Sequence, residues 1–118
     1  MGGRTADELT ALLGADRIIA LDRMANFFGL ESKGVRQIRG NGCLAATRDE
    51  IVFVMWIPRK EFRIARNRVT GVERARWHLG KSRGRELLRV RFLNDAGAAD
   101  SVAWFVSDLP KWEAALRN

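Results

Sequence analysis

The 118-residue chain has one cysteine, one histidine and two prolines. With Cys43 alone, no internal disulfide can form, so a disulfide scaffold is excluded and a reducing compartment is expected. His78 and Cys43 offer no pair at metal-ligand spacing, so no metal site is expected. No serine sits in a Gly-x-Ser-x-Gly elbow, and no carboxylates pair on a helix beside a Gly-rich loop. Gly80-Lys81-Ser82 hints at a phosphate loop, but Ala75 stands where that loop needs a glycine, and a strand pattern follows where it needs a helix. The longest apolar run, Ile51–Ile57, is far short of a membrane span. The N-terminal MGGRTADELTALLG carries acids where a secretory signal needs an apolar core, and Ala6 stands where N-myristoylation wants Ser or Thr. These absences predict a cytoplasmic, non-catalytic protein with no cofactor.

What is present is an ordinary globular composition. Hydrophobic residues make up 47% of the chain, too many for a disordered tail, and the length suits one domain with its own core. The net charge is +7. The arginines are spread along the chain rather than gathered in a tail, so solubility explains the charge as readily as a polyanionic partner does.

Thr5-Ala6-Asp7-Glu8 reads as a capping box ahead of a short amphipathic helix, about residues 5–13, with Leu9, Leu12 and Leu13 on its stripe and Gly14 as its stop. Arg17–Phe28 fits either a helix face (Ile18, Leu21, Ala25, Phe28) or a bulged strand, and periodicity does not separate them. Gly29–Gly42 is a glycine-punctuated loop carrying Lys33, Arg36 and Arg39. Cys43–Thr47 and Glu50–Ile57 read as a hairpin around Arg48-Asp49, with Pro58 ending the pairing. Lys60–Ala65 alternates cleanly, and Gly71 marks a bulge in the next strand. Gly80–Arg85 is a basic hairpin loop, and Leu87–Leu93 and Asp100–Val106 are strands around a turn at Asn94–Gly97. A final helix is capped by Ser107 or Asp108, takes Pro110 in its first turn, and aligns Leu109, Trp112 and Leu116. Turn signals at this spacing predict a small sandwich or barrel.

The stretch GCLAATRDEIVFV, then EFRIARNRVTGVE, LGKSRGRELLRVRF and the helix residue Trp112 together resemble bacterial pleckstrin-homology-like (PH-like) and GRAM-like domains. The resemblance covers about residues 17–116. It implies a mainly β fold: a seven-stranded split barrel of two near-orthogonal antiparallel sheets, capped by a C-terminal helix. It also implies that Arg17–Phe28 is a strand, with the N-terminal helix an addition to the minimal domain.

Such a fold serves as a binding or scaffolding module. The residues offer three classes of partner. The first is another protein or a second copy. The strand Ile51–Ile57 is apolar on both faces, whereas a small barrel needs one, so the Val52/Val54/Trp56 face requires a cover. That cover is either the Leu9/Leu12/Leu13 stripe or another subunit. The second is an anionic lipid headgroup or phosphate ligand, held by Lys33, Arg36 and Arg39 with Lys81, Arg83 and Arg85. The spacing of the first three departs from the basic motif of phosphoinositide-binding PH domains, and the reading needs both loops at one end. The remotest is nucleic-acid binding by general positive charge; tryptophans lie beside arginines at Trp77 and Trp56, but no aromatic-rich RNA-binding signature is present.

Overall fold

The computed structural model describes residues 2–33, 40–57, 59–76 and 86–117. Helix α1 spans Gly2–Leu13 and helix α2 spans Leu109–Arg117. Between them lie β1 (Ala20–Leu30), β2 (Gly40–Ala46), β3 (Glu50–Met55), β4 (Lys60–Ala65), β5 (Val69–Ala75), β6 (Leu87–Leu93) and β7 (Ala99–Phe105). The segment left open by periodicity is therefore mostly strand. α1 starts upstream of Thr5, so Thr5 lies within the helix rather than at its cap.

The seven strands form one antiparallel sheet in the order β4-β3-β2-β1-β7-β6-β5. This corrects the expected split barrel of two near-orthogonal sheets. β1 pairs with both β2 and β7, so the two expected sheets are hydrogen-bonded into one. The sheet is not closed, because β4 and β5 are its two ends. The physical reason is the length of β1. Its eleven residues have room for a ladder on each side, and register shifts between Asp22 and Ala25 and between Phe27 and Gly29 let both ladders persist. The bulge expected at Gly71 is present as a register shift between Val69 and Gly71.

Alternation along the strands divides the core between the two faces. One face carries Phe27, Leu44, Ile51, Phe53, Ile64, Leu88, Val90, Val102 and Trp104, covered by Trp112 and Leu116 of α2. Phe62 of β4 meets Phe92 of β6 at 6.0 Å between ring centroids, so both halves of the sheet contribute to this one core. The other face carries Cys43, Ala45, Val52 and Val54, covered by Ala6 and Leu9 of α1 with Leu13 beside them. Ala6, Leu9 and Leu13 follow helical spacing. Leu12, expected on the same stripe, is 63% exposed, because the i, i+3, i+7 face centred on the small Ala6 lets the helix approach the sheet and turns Leu12 outward. Gly14, at φ 90°, ends α1.

Buried and half-buried polar side chains hold the joins. Asp22, in the β1 bulge, accepts from the Met24 amide at 2.9 Å and from the Ser107 amide at 2.7 Å, tying the bulge to the approach of α2. Asp100 accepts from the Ser32 amide at 2.9 Å and the Ser32 hydroxyl at 2.6 Å, fixing the turn after β1. Arg66 donates to the carbonyl of Thr47 at 2.9 Å and to that of Leu116 at 3.2 Å. Its cation thereby meets the negative end of the α2 dipole.

Candidate functional site

Val52 and Val54 are buried beneath α1, and Trp56 is half-buried in the turn after β3. The second apolar face of β3 thus has an intramolecular cover. Glu8 of α1 also meets Arg59 at 2.9 Å, an exposed pair that contributes little by itself. Cys43 lies under the same helix. Burial, with Asp22 nearby, pushes its thiol up to about 11, so almost no thiolate exists at neutral pH. Native protein at pH 7.5 is expected to resist a thiol-reactive disulfide reagent, reacting only through opening of α1. Prompt stoichiometric labelling without denaturant would contradict this placement.

Of the proposed basic residues, Lys33 has its backbone in a single 3-10 turn, Glu31–Lys33. Its side chain and the whole of Arg36, Arg39, Lys81, Arg83 and Arg85 lie outside the described residues, as does His78. The flanking strands still bear on the two-loop idea. β1 and β6 both run antiparallel to β7, so they run in the same direction. The 34–39 segment follows the C-terminal end of β1, whereas the 77–85 segment precedes the N-terminal end of β6. The strand ends that border the two segments thus face opposite directions, although the registers Gly40↔Phe27, Phe27↔Trp104 and Leu88↔Trp104 set Gly40 and Leu88 on one cross-strand row.

The buried carboxylates among the described residues have structural partners. Glu113 of α2 takes a hydrogen bond from Arg74 Nε at 2.8 Å and pairs with Arg117 at 3.3 Å. The Arg74 hydrogen bond holds the Glu113 carboxyl below its usual range. Asp22 and Asp100 are engaged as described above. No cluster of three His, Cys, Asp or Glu side chains suited to a metal ion occurs among the described residues.

The open sheet leaves two edges, β5, where Arg117 of α2 donates to the Val72 carbonyl at 3.4 Å, and β4. The ladders on either side of β3 identify which backbone groups of β4 point away from it. The Trp56 amide donates to the Asn41 carbonyl at 3.1 Å, and the Thr47 amide donates to that of Glu50 at 2.9 Å, so even-numbered residues of β3 bond to β2. The Arg66 amide donates to the Asp49 carbonyl at 2.8 Å, so the odd-numbered ones bond to β4. Because hydrogen-bonded and non-bonded pairs alternate in an antiparallel ladder, Lys60, Phe62 and Ile64 turn their amides and carbonyls toward β3. Glu61, Arg63 and Ala65 turn theirs outward, where no described strand pairs with them.

A groove of about 380 Å³ runs beside this edge. Leu30, Phe62, Ile64 and Phe92 give it apolar walls, and Arg63, Arg68, Asp95 and Asp100 supply polar ones. Arg68 bridges to the turn between β6 and β7 through the Asn94 carbonyl at 2.8 Å. Sequence reading passed over this edge because Lys60–Ala65 resembles any half-buried strand; the available signals were its flanking Pro58 and its charged outer residues.

Comparison with protein-family models, curated proteins and solved structures found no match. The PH-like resemblance rests on the residue pattern alone. No helix among the described residues is long and apolar enough to cross a membrane.

Proposed function

We propose that this protein is a non-catalytic, cytoplasmic protein-binding module whose docking surface is the free edge of β4 and the groove beside it. The observation that carries this reading is the outward row of backbone donors and acceptors at Glu61, Arg63 and Ala65, next to the apolar walls given by Phe62, Ile64 and Phe92. An extended segment added at such an edge gains main-chain hydrogen bonds, and alternate side chains enter the adjacent pocket. Free edges attract strands from other chains, so the same physics supports protein partners over headgroups. The lone buried thiol and the lack of any disulfide fit a reducing compartment.

Ala65 provides a specific test. Its φ is −66°, already the proline value, and its N–H points off the edge. Ala65→Pro therefore removes one outward donor and places a ring in the path of an incoming strand, without breaking the β3–β4 ladder. A displayed library of extended peptides, selected on the wild-type protein, is expected to yield binders that lose at least about tenfold in affinity for Ala65→Pro, while the variant melts within a few degrees of wild type. Binders that hold Ala65→Pro as tightly as wild type would remove the β4 edge as the docking surface.

A further inference from the structure

Resting on that reading, we infer that the occupant of the β4 edge is a second copy of this chain, joined through antiparallel β4–β4 pairing about a two-fold axis at Phe62. The argument comes from which residues such a pairing sets opposite one another.

Closed two-fold pairing makes the same strand meet itself, so each candidate register is defined by the residue on the axis. The outward backbone groups belong to Glu61, Arg63 and Ala65, so hydrogen-bonded pairs must join odd-numbered residues. An axis at Glu61 sets Glu61 against Glu61 of the second copy. An axis at Arg63 sets two arginines against each other. Both place like charges directly opposite, which is destabilising, and an axis at Ile64 sets Arg63 against Ala65, with no opposite charge to meet it. An axis at Phe62 sets Glu61 against Arg63 of the second copy, and Arg63 against its Glu61. The two charged pairs are then complementary at once, and each is a hydrogen-bonded pair of the new ladder.

The side chains available for this are where they need to be. Glu61 and Arg63 project from the same face and already meet along the strand at 3.6 Å, at 51% and 41% side-chain exposure. Arg63 also reaches Glu50 at 3.1 Å. On the opposite face, Phe62 and Phe62 of the second copy fall at a non-hydrogen-bonded position, where cross-strand side chains come closest. Phe62 is only half-buried in the single chain, so this contact covers the remainder of its ring. The Glu-Phe-Arg order is thus self-complementary when read antiparallel.

The charge order gives a test with an internal rescue. Glu61→Arg makes the strand Arg-Phe-Arg, and Arg63→Glu makes it Glu-Phe-Glu. Neither can pair with itself, but each complements the other at both positions. Analytical ultracentrifugation of wild type from micromolar to millimolar concentration is expected to show a monomer–dimer equilibrium. Each single variant is expected to dimerise at least about tenfold more weakly, and an equimolar mixture is expected to recover wild-type association as a heterodimer. Circular dichroism establishes that the variants are folded. Wild type that stays monomeric throughout, or single variants that dimerise as well as wild type, or a mixture no tighter than its components, each overturns the pairing. If pairing fails while selected peptides still require Ala65, the edge binds a different chain. If peptides ignore Ala65→Pro as well, the edge reading itself falls.

Discussion

Trp104→Ala is expected to cost about 3–5 kcal/mol of stability, the usual range for deleting a fully buried large aromatic. Trp104 is 0% exposed and pairs across the sheet with Phe27 on β1 and Leu88 on β6. Its ring lies 6.4 Å from Phe27, 5.9 Å from Phe53 and 6.4 Å from Phe62. One side chain thus joins strands from both halves of the sheet, including edge strand β4. A loss of this size is a large fraction of the stability of an ordinary domain. Trp104→Phe separates ring packing from its polar cost. The Trp104 Nε1 is buried with no hydrogen-bond partner, and leaving a donor unsatisfied costs about 1–3 kcal/mol. Phenylalanine removes that donor and leaves a smaller void than alanine, so Trp104→Phe is expected to lose less than half of what Trp104→Ala loses. Urea unfolding followed by tryptophan fluorescence reads both values. Equal losses for the two variants would show that the aromatic cluster does not hold the two halves together.

Gly42→Ala carries the second large effect, about 3 kcal/mol or more. A Cβ at Gly42 would stand 2.2 Å from the Val54 carbonyl oxygen and 2.8 Å from Phe53 Cε1. The first atom is backbone, inside the β2–β3 ladder, and Phe53 is itself stacked on Phe27 at 5.4 Å. Neither neighbour yields cheaply, so the added methyl pushes the strands apart, and overpacking of this kind typically costs 1–3 kcal/mol or more. Gly40 on the same strand is the control. Its nearest contact would be Met55 Sδ at 2.9 Å, the far part of a flexible side chain that can swing away. Gly40→Ala is therefore expected to lose less than about 1.5 kcal/mol. A smaller loss at Gly42 than at Gly40 in the same unfolding experiment would contradict this account of the hairpin.

Much of the local structure was legible from residues alone. The turn at Arg48-Asp49, the strand through Ile51, the alternation of Lys60–Ala65, the Gly71 bulge and the final helix all follow from short-range rules: period-two alternation, turn chemistry and helix capping. Those rules act within a few residues, so a single sequence displays them. The single open sheet, in place of the expected split barrel, was not legible in the same way. Whether β1 belongs to one ladder or two depends on what lies on each side of it: residues 40–46, the next strand along the chain, and residues 99–105, which are far from it in sequence. Arg66 was equally invisible, since nothing near it announces contacts with Thr47 and Leu116.

The candidate site shows the same division. The sequence identified β3 as apolar on both faces and asked what covers Val52 and Val54. It offered α1 or a second subunit and had no means of choosing, because hydrophobic burial is non-directional and either surface would satisfy it. Only the packed structure set Ala6 and Leu9 over those valines.

By itself, then, the sequence determined a mainly β chain with terminal helices, a single unpaired thiol and a β3 that demands cover on two sides. These are consequences of residue type and local spacing. The tertiary structure decided that the seven strands form one open sheet, that α1 covers Val52 and Val54 on the second face, and that β4 is one of its two ends with Glu61, Arg63 and Ala65 turned outward. The reason is hydrogen-bond saturation: every strand brings two edges, and which edge stays unpaired is fixed only when all the strands have taken their places.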